Sequence, residues 1–282
     1  MRNIAIALLV LFPVLAAAQE IICGKSDSIA IERILLTHST AEYSSQGELV
    51  LAIAQEFIGR KYVSGTLENG YDEPLYISCD SLDCTTFVEL VTAIAMSISG
   101  KECNFGGVCS NLQRIRYRGG VRDGYASRLH YTSWWIADNT ERGILKDVTC
   151  NTEHRQRTLE LDFMSTHPGS YPMLKEDTAM QAKIAKMEEP FRGVQDKYIP
   201  KELLSRGKET LKINNGDIIA LATAIDGLDI SHVGFAYWCG NRLHLLHASS
   251  SKKEVIKDPV TLFDYQKEKS RQIGIKAIRI IL

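Results

Sequence analysis

The segment Ser81-Leu82-Asp83-Cys84-Thr85-Thr86-Phe87-Val88-Glu89 decides how the rest of the chain is interpreted. The apolar residues within and after it follow the spacing of one helical face: Phe87, Val88, Leu90, Val91, Ile94, Ala95 and Ile98. Ser81 or Asp83 would cap the start of this helix, and Gly100 would end it. Cys84 then lies in the first turn, where free backbone N–H groups and the helix dipole favour a thiolate. We therefore treat it as a candidate nucleophile, against the commoner alternative of a small core cysteine.

The first 18 residues have the pattern of a secretory signal peptide. Arg2 supplies the positive start, an apolar run follows, and Ala16-Ala17-Ala18 offers a small-residue cleavage site. The apolar run is short and interrupted by Pro13, and no later segment is long and apolar enough to span a membrane. We therefore expect residues 19–282 to form one exported domain, located in the periplasm, without a membrane span after cleavage.

Charge and cysteine content narrow the possible classes of function. The net charge of −1 gives no electrostatic reason to expect nucleic-acid binding. All seven cysteines lie after residue 18, and an odd number in an exported protein leaves at least one free thiol, which we assign to Cys84. Cys103 and Cys109 bracket a Gly-rich segment that could close as a disulfide-bonded loop. The sequence has no C-x-x-C pair, so thioredoxin-like redox chemistry and zinc ribbons are not expected.

Helices are expected mainly in the first part of the chain. Residues 26–36 and 48–58 show helical spacing, and Gly59 ends the second of these helices. Residues 100–212 form an irregular segment, which we interpret as a large insertion rather than a separate domain. Within it, short helices are expected at 110–117, at 178–189 and after Pro200.

The last third of the chain has the pattern of an antiparallel sheet. Four apolar, β-rich runs are separated by turn residues, and they cover 218–222, 230–238, 242–248 and 273–282. The tight turn at Gly240-Asn241 joins the second run to the third. Helices therefore come first and strands follow, which predicts the α+β class with the Cys84 helix packed on the sheet.

Two histidines in this sheet are placed to act on a cysteine. His232 lies in Ser231-His232-Val233-Gly234, and His247 lies near the end of the next strand, at nearly the same distance from the Gly240-Asn241 turn. Across such a hairpin the two side chains are neighbours. A cysteine nucleophile needs a base and a group that orients the base, and these two histidines supply both. Each alone could be an ordinary half-buried strand residue.

A second group of candidate residues lies inside the predicted insertion. The segment 125–135 is rich in aromatic and hydrogen-bonding side chains, so it forms either a core anchor or one wall of a polar ligand site. As substrate contacts we single out Arg128 and His130, with Tyr131 and Trp134 as rings that could stack on a sugar.

Several motifs together resemble the papain-like NlpC/p60 superfamily of bacterial cell-wall hydrolases. They are, in order, Gly59-x-x-Tyr62, Asp83-Cys84, His232-Val233-Gly234, and a histidine before Ala-Ser. The long interval between Cys84 and His232, and Thr85-Thr86 after the cysteine, are similar to one branch of that superfamily, once known only as a domain of unknown function and associated with N-acetylmuramoyl-L-alanine amidase activity.

The resemblance implies a papain-like fold and cysteine-dependent cleavage of the amide that joins the muramyl lactoyl group to L-alanine. It implies Cys84 as nucleophile, His232 as base and His247 as its orienting group. Tyr62 matches an oxyanion or substrate contact, Asp83 matches the acidic residue before the nucleophile, and Ser231 is a further candidate contact. It also implies that the insertion shapes the sugar side of the pocket. We expect a monomer that acts on a muropeptide or peptidoglycan fragment without cofactor or metal.

Three alternatives remain open from the sequence. The first is an endopeptidase of the same superfamily that cuts the stem peptide after γ-D-Glu. The second is a zinc hydrolase, which the absence of an H-E-x-x-H motif and the dispersed histidines disfavour. The third is a protein that binds muropeptides without cleaving them.

Overall fold

The structure is a computed structural model that describes residues 20–68, 70, 73–100 and 102–282. The signal peptide predicted for residues 1–18 lies outside the described residues. Nine α-helices are present in the part that is described. They are α1 (Lys25–Ser39), α2 (Gln46–Gln55), α3 (Cys84–Ser99), α4 (Phe105–Arg116), α5 (Thr132–Glu141), α6 (Phe163–Thr166), α7 (Thr178–Glu188), α8 (Lys208–Leu211) and α9 (Leu262–Lys267). No helix within these residues is both apolar enough and long enough to cross a bilayer.

Ten of the twelve described strands form one sheet, in the order β4-β2-β11-β10-β9-β8-β12-β7-β6 with β5 paired to β12. All its pairings are antiparallel except that of β2 with β4, and β1 pairs separately with β3. The strands are β1 (Ile21–Cys23), β2 (Lys61–Tyr62), β3 (Leu75–Ile77), β4 (Ser81–Leu82), β5 (Leu145–Asp147), β6 (Arg155–Glu160), β7 (Arg192–Pro200), β8 (Ile218–Thr223), β9 (Ile230–Cys239), β10 (Arg242–Ser249), β11 (Glu254–Lys257) and β12 (Gln272–Ile280). This arrangement of helices and a largely antiparallel sheet agrees with the predicted α+β class.

Both faces of the central strands are buried. Along β8, Ile218 and Ala220 belong to one apolar cluster, whereas Ile219 and Leu221 belong to a second. Successive side chains of a strand point to opposite faces, so the two clusters lie on the two sides of the sheet. The first cluster includes the buried faces of α1 to α5, and the second includes Leu262 of α9. The sheet is therefore rigid where it carries the two histidines.

The start of α3 is fixed by a capping box. Thr86 N–H donates to Asp83 Oδ1 at 2.8 Å, and Asp83 N–H donates to Thr86 Oγ1 at 2.9 Å. Two donors that a helix start would otherwise leave free are thereby satisfied. One residue later, the Phe87 ring packs edge-on between Phe57 and Phe235, at centroid distances of 5.9 and 5.5 Å. Asp83, rather than Ser81, is the cap, and Cys84 is the first residue of the helix, as the sequence predicted.

The segment from 100 to 212 is built into the sheet instead of standing beside it. Its strand β7 pairs with β12 and with β6, and the sequence pattern predicted β12 but neither β6 nor β7. The prediction of a disulfide-bonded loop between Cys103 and Cys109 was wrong. Asn104 caps α4, and the segment is the first turn of that helix. Both cysteines are free thiols, one exposed and one buried in α4.

A buried ion pair joins α3 to α4. Arg116 Nε donates to Glu89 Oε2 at 2.7 Å, and Arg116 Nη1 donates to the carbonyl of Tyr76 at 2.8 Å. Both charged side chains are almost completely shielded from water. Removal of one partner would leave the other charge buried without compensation, which is far more costly than the loss of a surface pair.

We predict that Glu89→Ala lowers the free energy of unfolding by about 3–5 kcal/mol, because Arg116 then keeps its buried charge. Urea unfolding followed by circular dichroism measures this. The control is Glu153→Ala, which removes the exposed pair with Arg206 and should cost no more than about 1 kcal/mol. Equal losses in the two variants would contradict the structural role assigned to Glu89.

Candidate active site

Cys84 lies half-buried at the first position of α3, where it lines a cleft at the edge of β9. The backbone N–H groups at the start of an α-helix have no acceptor within the helix. The N–H of Thr86 donates to Asp83, the N–H of Thr85 acts on the Cys84 sulfur, and the N–H of Cys84 completes this first turn. The helix thus places a sulfur nucleophile and N–H donors at the same point.

His232 and His247 come together across the β9–β10 hairpin. Leu246 pairs with Phe235, so Gly234 lies opposite His247 and His232 lies diagonally across from it. A Cβ atom on Gly234 would lie 2.8 Å from His247 Cβ, so glycine is required for this close approach. His232 Nε2 and His247 Nδ1 are 2.5 Å apart. The two histidines are therefore neighbours, as the sequence predicted.

Asp258 is a member of the site that the sequence did not reveal. It is buried directly after β11, and its Oδ2 lies 3.4 Å from His247 Nε2, at the long end of hydrogen-bond range. Its Oδ1 accepts a hydrogen bond from the N–H of Val260, which orients the carboxyl group. The only sequence signal was an Asp-Pro turn after a short strand.

The order of the three side chains favours one placement of the imidazole protons. A carboxylate only accepts hydrogen bonds, so Asp258, 3.4 Å away, favours the proton of His247 on Nε2, a nitrogen that has no hydrogen-bond partner among the described residues. His247 Nδ1 then accepts from His232 Nε2–H, and His232 Nδ1 keeps its lone pair. In this tautomer His232 can take a proton from a thiol, and the resulting imidazolium is stabilised through His247 by the carboxylate.

Burial keeps both reacting groups neutral at rest. It raises the pKa of the Cys84 thiol to about 11, and the charge of Asp83 adds to this effect, whereas hydrogen bonds from Val233 and Thr85 oppose it. Burial also lowers the pKa of His232 to about 3, with further lowering by His247 and Lys269. The sequence argument had favoured a resting thiolate from the helix dipole, but burial outweighs the dipole here.

The cleft beside Cys84 has a volume of about 120 Å³, and its two sides come from different parts of the chain. One side is the end of β9 with Asp229, Ser231 and His232, and the other is formed by the segment that the sequence assigned to the insertion. That second side comprises His130, Tyr131, Thr132, Met164 and Tyr171. Asp229 is buried, and its carboxyl group accepts hydrogen bonds from the N–H groups of Ser133 and Ile230 at 2.5 and 2.7 Å.

Three of the predicted substrate contacts line this cleft. His130 is bonded through Nε2 to the carbonyl of Tyr125 at 2.9 Å, and burial followed by the charge of Arg128 holds the pKa of the imidazole well below its ordinary value. The Tyr131 hydroxyl donates to Glu188 at 2.7 Å, so this residue supplies ring surface instead of a free hydroxyl. Ser231 is exposed, and its hydroxyl lies 3.3 Å from the carbonyl of Leu221.

Two predicted substrate contacts have structural roles instead. The Arg128 guanidinium is buried in ion pairs with Glu68 at 2.7 Å and Glu73 at 3.2 Å, so it is not presented to a ligand. Trp134 is only 1% exposed and packs beneath Arg118 and beside Phe191, so its ring cannot stack on a sugar. Neither residue lines the cleft.

The remaining two predicted residues lie beside Cys84. Asp83 uses its carboxylate to cap α3, which is a structural role. Tyr62 pairs with Leu82 across the β2–β4 ladder. Burial raises the pKa of the Tyr62 hydroxyl to about 12, with contributions from the charges of Cys84 and Asp83. Within the described ranges, no three His, Cys, Asp or Glu side chains are grouped as a metal site would require.

Comparisons with known proteins show the family of this chain. Residues 52–275 match the model of the AmiA-like family, described as N-acetylmuramoyl-L-alanine amidase-like. The chain belongs to the AmiA-like family. A crystal structure of an N-acetylmuramoyl-L-alanine amidase from Bacteroides uniformis is 38% identical, with a TM-score of 0.79 over 84% of this chain and 99% of that one.

Two further solved structures are similar to this family member. One, from Bacteroides fragilis and named only provisionally as a xylanase, is 42% identical, with a TM-score of 0.77 over 82% of this chain and 100% of that one. The other, a Legionella pneumophila protein matched to the family model DUF1460, is 25% identical, with a TM-score of 0.69 over 91% of this chain and 95% of that one. A search of curated proteins gave no match.

The raised pKa of Cys84 predicts slow alkylation near neutral pH. Because only the thiolate reacts, the rate with iodoacetamide should rise nearly tenfold for each pH unit between about pH 6 and pH 9, with no plateau. Mass-spectrometric peptide mapping measures the rate at Cys84, and exposed Cys239 provides the comparison in the same digest. A plateau at neutral pH would instead indicate a resting thiolate–imidazolium pair.

Asp258→Asn should reverse the tautomers of both histidines. The new side-chain amide can donate to His247 Nε2, which then needs its proton on Nδ1 and forces that of His232 onto Nδ1 as well. Nitrogen-15 NMR of the two imidazoles in a Cys84→Ala background reports which nitrogen is protonated. The control is Asp264→Asn, which changes a half-buried carboxylate of α9 that pairs with Lys267 and should leave the imidazole spectra unaltered. Unchanged tautomers in Asp258→Asn would refute the assigned chain.

Proposed function

We propose that this protein is a cysteine-dependent N-acetylmuramoyl-L-alanine amidase. Family membership supports an amidase that acts on a peptidoglycan-type substrate. The observation that carries the finer proposal is that Cys84 and His232 line the same cleft, with His247 bonded to His232 and Asp258 3.4 Å from His247. A nucleophile on a helix start against strand-borne histidines also supports a place in the papain-like NlpC/p60 superfamily.

The reaction begins with proton transfer from Cys84 to Nδ1 of His232 as the sulfur attacks the lactoyl carbonyl carbon. The negative charge that develops on the carbonyl oxygen is met by the N–H donors of the first turn of α3. His232 then gives its proton to the departing L-alanine nitrogen, and a thioester remains on Cys84. In the second half, His232 takes a proton from water, and the hydroxide attacks the thioester carbonyl. The C–S bond breaks, the lactoyl carboxylic acid leaves, and His232 returns its proton to the Cys84 sulfur.

His247 and Asp258 act through His232. They hold its tautomer, and they stabilise the imidazolium that exists between the two proton transfers. The neutral resting state is compatible with this role, because the proton needs to move only during attack. We propose a periplasmic or extracellular location, where peptidoglycan is found.

Glycoside hydrolysis, which the name of the Bacteroides fragilis neighbour suggests, has less support. That chemistry ordinarily uses two carboxyl groups on opposite sides of the scissile bond. Of the residues that line the cleft, Asp229 alone carries a carboxyl group, and two backbone N–H groups occupy it. The amidase proposal uses the groups that are present at the cleft.

Cys84→Ala should abolish the release of a peptide with a free L-alanine amino terminus from a muramyl peptide, because no other thiol adjoins His232 in the cleft. Mass spectrometry of the digest measures the products. Cys239→Ala, which removes an exposed thiol at the end of β9, is the matched control and should keep full activity.

The same digest distinguishes the proposed bond from its nearest alternative. A product that begins with L-alanine supports the amidase, whereas cleavage after γ-D-Glu would identify an endopeptidase. Turnover retained in Cys84→Ala would contradict the assignment of Cys84 as the nucleophile.

A further inference from the structure

One lysine lies close to His232 and His247, which we call the histidine pair. Lys269 follows α9, and its Nζ lies over the face of the Tyr265 ring, 3.2 Å from the centroid. The same ring meets that of His247 edge-on, with centroids 5.8 Å apart. The ammonium group is therefore at most 9.0 Å from the centre of the His247 imidazole, because the two distances together reach no further.

Backbone contacts fix the position of this lysine. The Lys269 N–H donates to the carbonyl of Gln266 at 2.9 Å, and the Lys269 carbonyl accepts from the N–H of Gln272 and from Lys201 Nζ, both at 3.1 Å. The Lys269 side chain is exposed, but the Tyr265 ring attracts its ammonium group by a cation–π contact. The positive charge is thus kept beside the ring that packs on His247.

Two charges of opposite sign act on the histidine pair. The Asp258 carboxylate, 3.4 Å from His247 Nε2, favours a positive imidazole, whereas the Lys269 ammonium disfavours it. Burial is the largest cause of the lowered pKa of His232 and of His247, and Lys269 adds to the lowering in both. The effect of the lysine therefore reaches both members of the pair.

The other titratable groups around the pair are neutral or already bonded. The neutral groups include Cys84, Tyr62 and Tyr265, whose pKa values are raised, chiefly by burial. The bonded groups are Asp83 with Thr86, His130 with the carbonyl of Tyr125, His244 with the carbonyl of Asp258, Asp264 with Lys267, and Asp229 with the N–H groups of Ser133 and Ile230. Asp258 and Lys269 are thus the two charges that set how readily the pair takes up a proton.

We infer that Lys269 is a positioning residue whose charge makes the protonated histidine pair a stronger acid toward the leaving amine. The inference rests on the proposed amidase function. In that reaction His232 gives its proton to the L-alanine nitrogen as the carbon–nitrogen bond breaks, and the electron pair of that bond stays on the nitrogen. An amine leaves poorly unless it is protonated, so a cation that disfavours the imidazolium promotes this transfer. Before attack, the same cation keeps the pair an unprotonated base.

The first test uses no substrate. Nitrogen-15 NMR in a Cys84→Ala background follows the protonation of His232 as the pH is lowered. Lys269→Gln should move the midpoint up by about 0.5 pH unit, as expected for a unit charge roughly 9 Å away in a partly hydrated medium. Lys269→Arg keeps the charge and should leave the midpoint in place. The difference between the variants should shrink as salt is added, because exposed charges are screened.

The second test compares leaving groups. One substrate is a muramyl-L-alanyl amide, and the other is an aryl ester of the same lactoyl group, whose phenolate leaves without a proton. In Lys269→Gln the ratio of kcat/KM for the amide to that for the ester should fall about twofold, because proton transfer is only partial in the transition state. A purely structural role would lower both values equally and leave the ratio unchanged. Lys269→Arg should preserve the ratio.

Lys267→Gln is the matched control for both tests. It removes a second exposed lysine from the same end of α9, but one whose ammonium is already paired with Asp264 at 3.1 Å. Neither the midpoint nor the ratio should change in this variant. An unaltered ratio in Lys269→Gln would overturn the role of Lys269 while leaving the amidase proposal intact. If the wild-type protein does not hydrolyse the amide, the amidase function itself fails.

Discussion

The geometry of the site depends on the docking of the first turn of α3 against β9. The capping box of Asp83 and Thr86 determines where the helix begins, and Phe87 locks its rotation between Phe57 and Phe235. A helix turns by about 100° per residue, so a start displaced by one residue would point the Cys84 sulfur away from the cleft. Thr86, in the polar pair that follows the cysteine, therefore helps to position Cys84 through the capping box.

A second constraint acts on which imidazole nitrogens carry the protons. Asp258, His247 and His232 lie in series, and this order favours one arrangement of the imidazole protons. Burial, which keeps Cys84 and His232 neutral, makes this arrangement matter, because a neutral histidine with the wrong tautomer cannot accept the thiol proton. The site thus combines a weakly acidic thiol with a base that is preorganised for attack.

The sequence predicted those parts of the fold whose signals are local. Strands β8, β9, β10 and β12 were found because apolar runs alternate with tight turns, and the histidine pair followed from equal distances to Gly240-Asn241. The strands β6 and β7 were missed because they are mostly polar and exposed at the end of the sheet. Their residues have no local strand pattern, and β7 is recognised as a strand only through its pairing with β12.

The missed and misassigned site residues share one cause, which is contact between distant segments. Asp258 follows a four-residue strand, and its approach to His247 depends on the register between β10 and β11. Arg128 was assigned to the ligand because its aromatic neighbourhood suggested a wall, but its partners Glu68 and Glu73 lie far upstream in the sequence. A buried arginine and a ligand-binding arginine have the same sequence signature, and only the tertiary partners distinguish them.

Asp229 joins the two walls of the cleft. Its carboxyl group accepts a hydrogen bond from the N–H of Ser133 in the first turn of α5. The same contact anchors the segment that carries His130 and Tyr131. One carboxyl group therefore links the start of β9 to the start of α5, and a change in either wall alters both the shape of the cleft and the groups that a substrate meets.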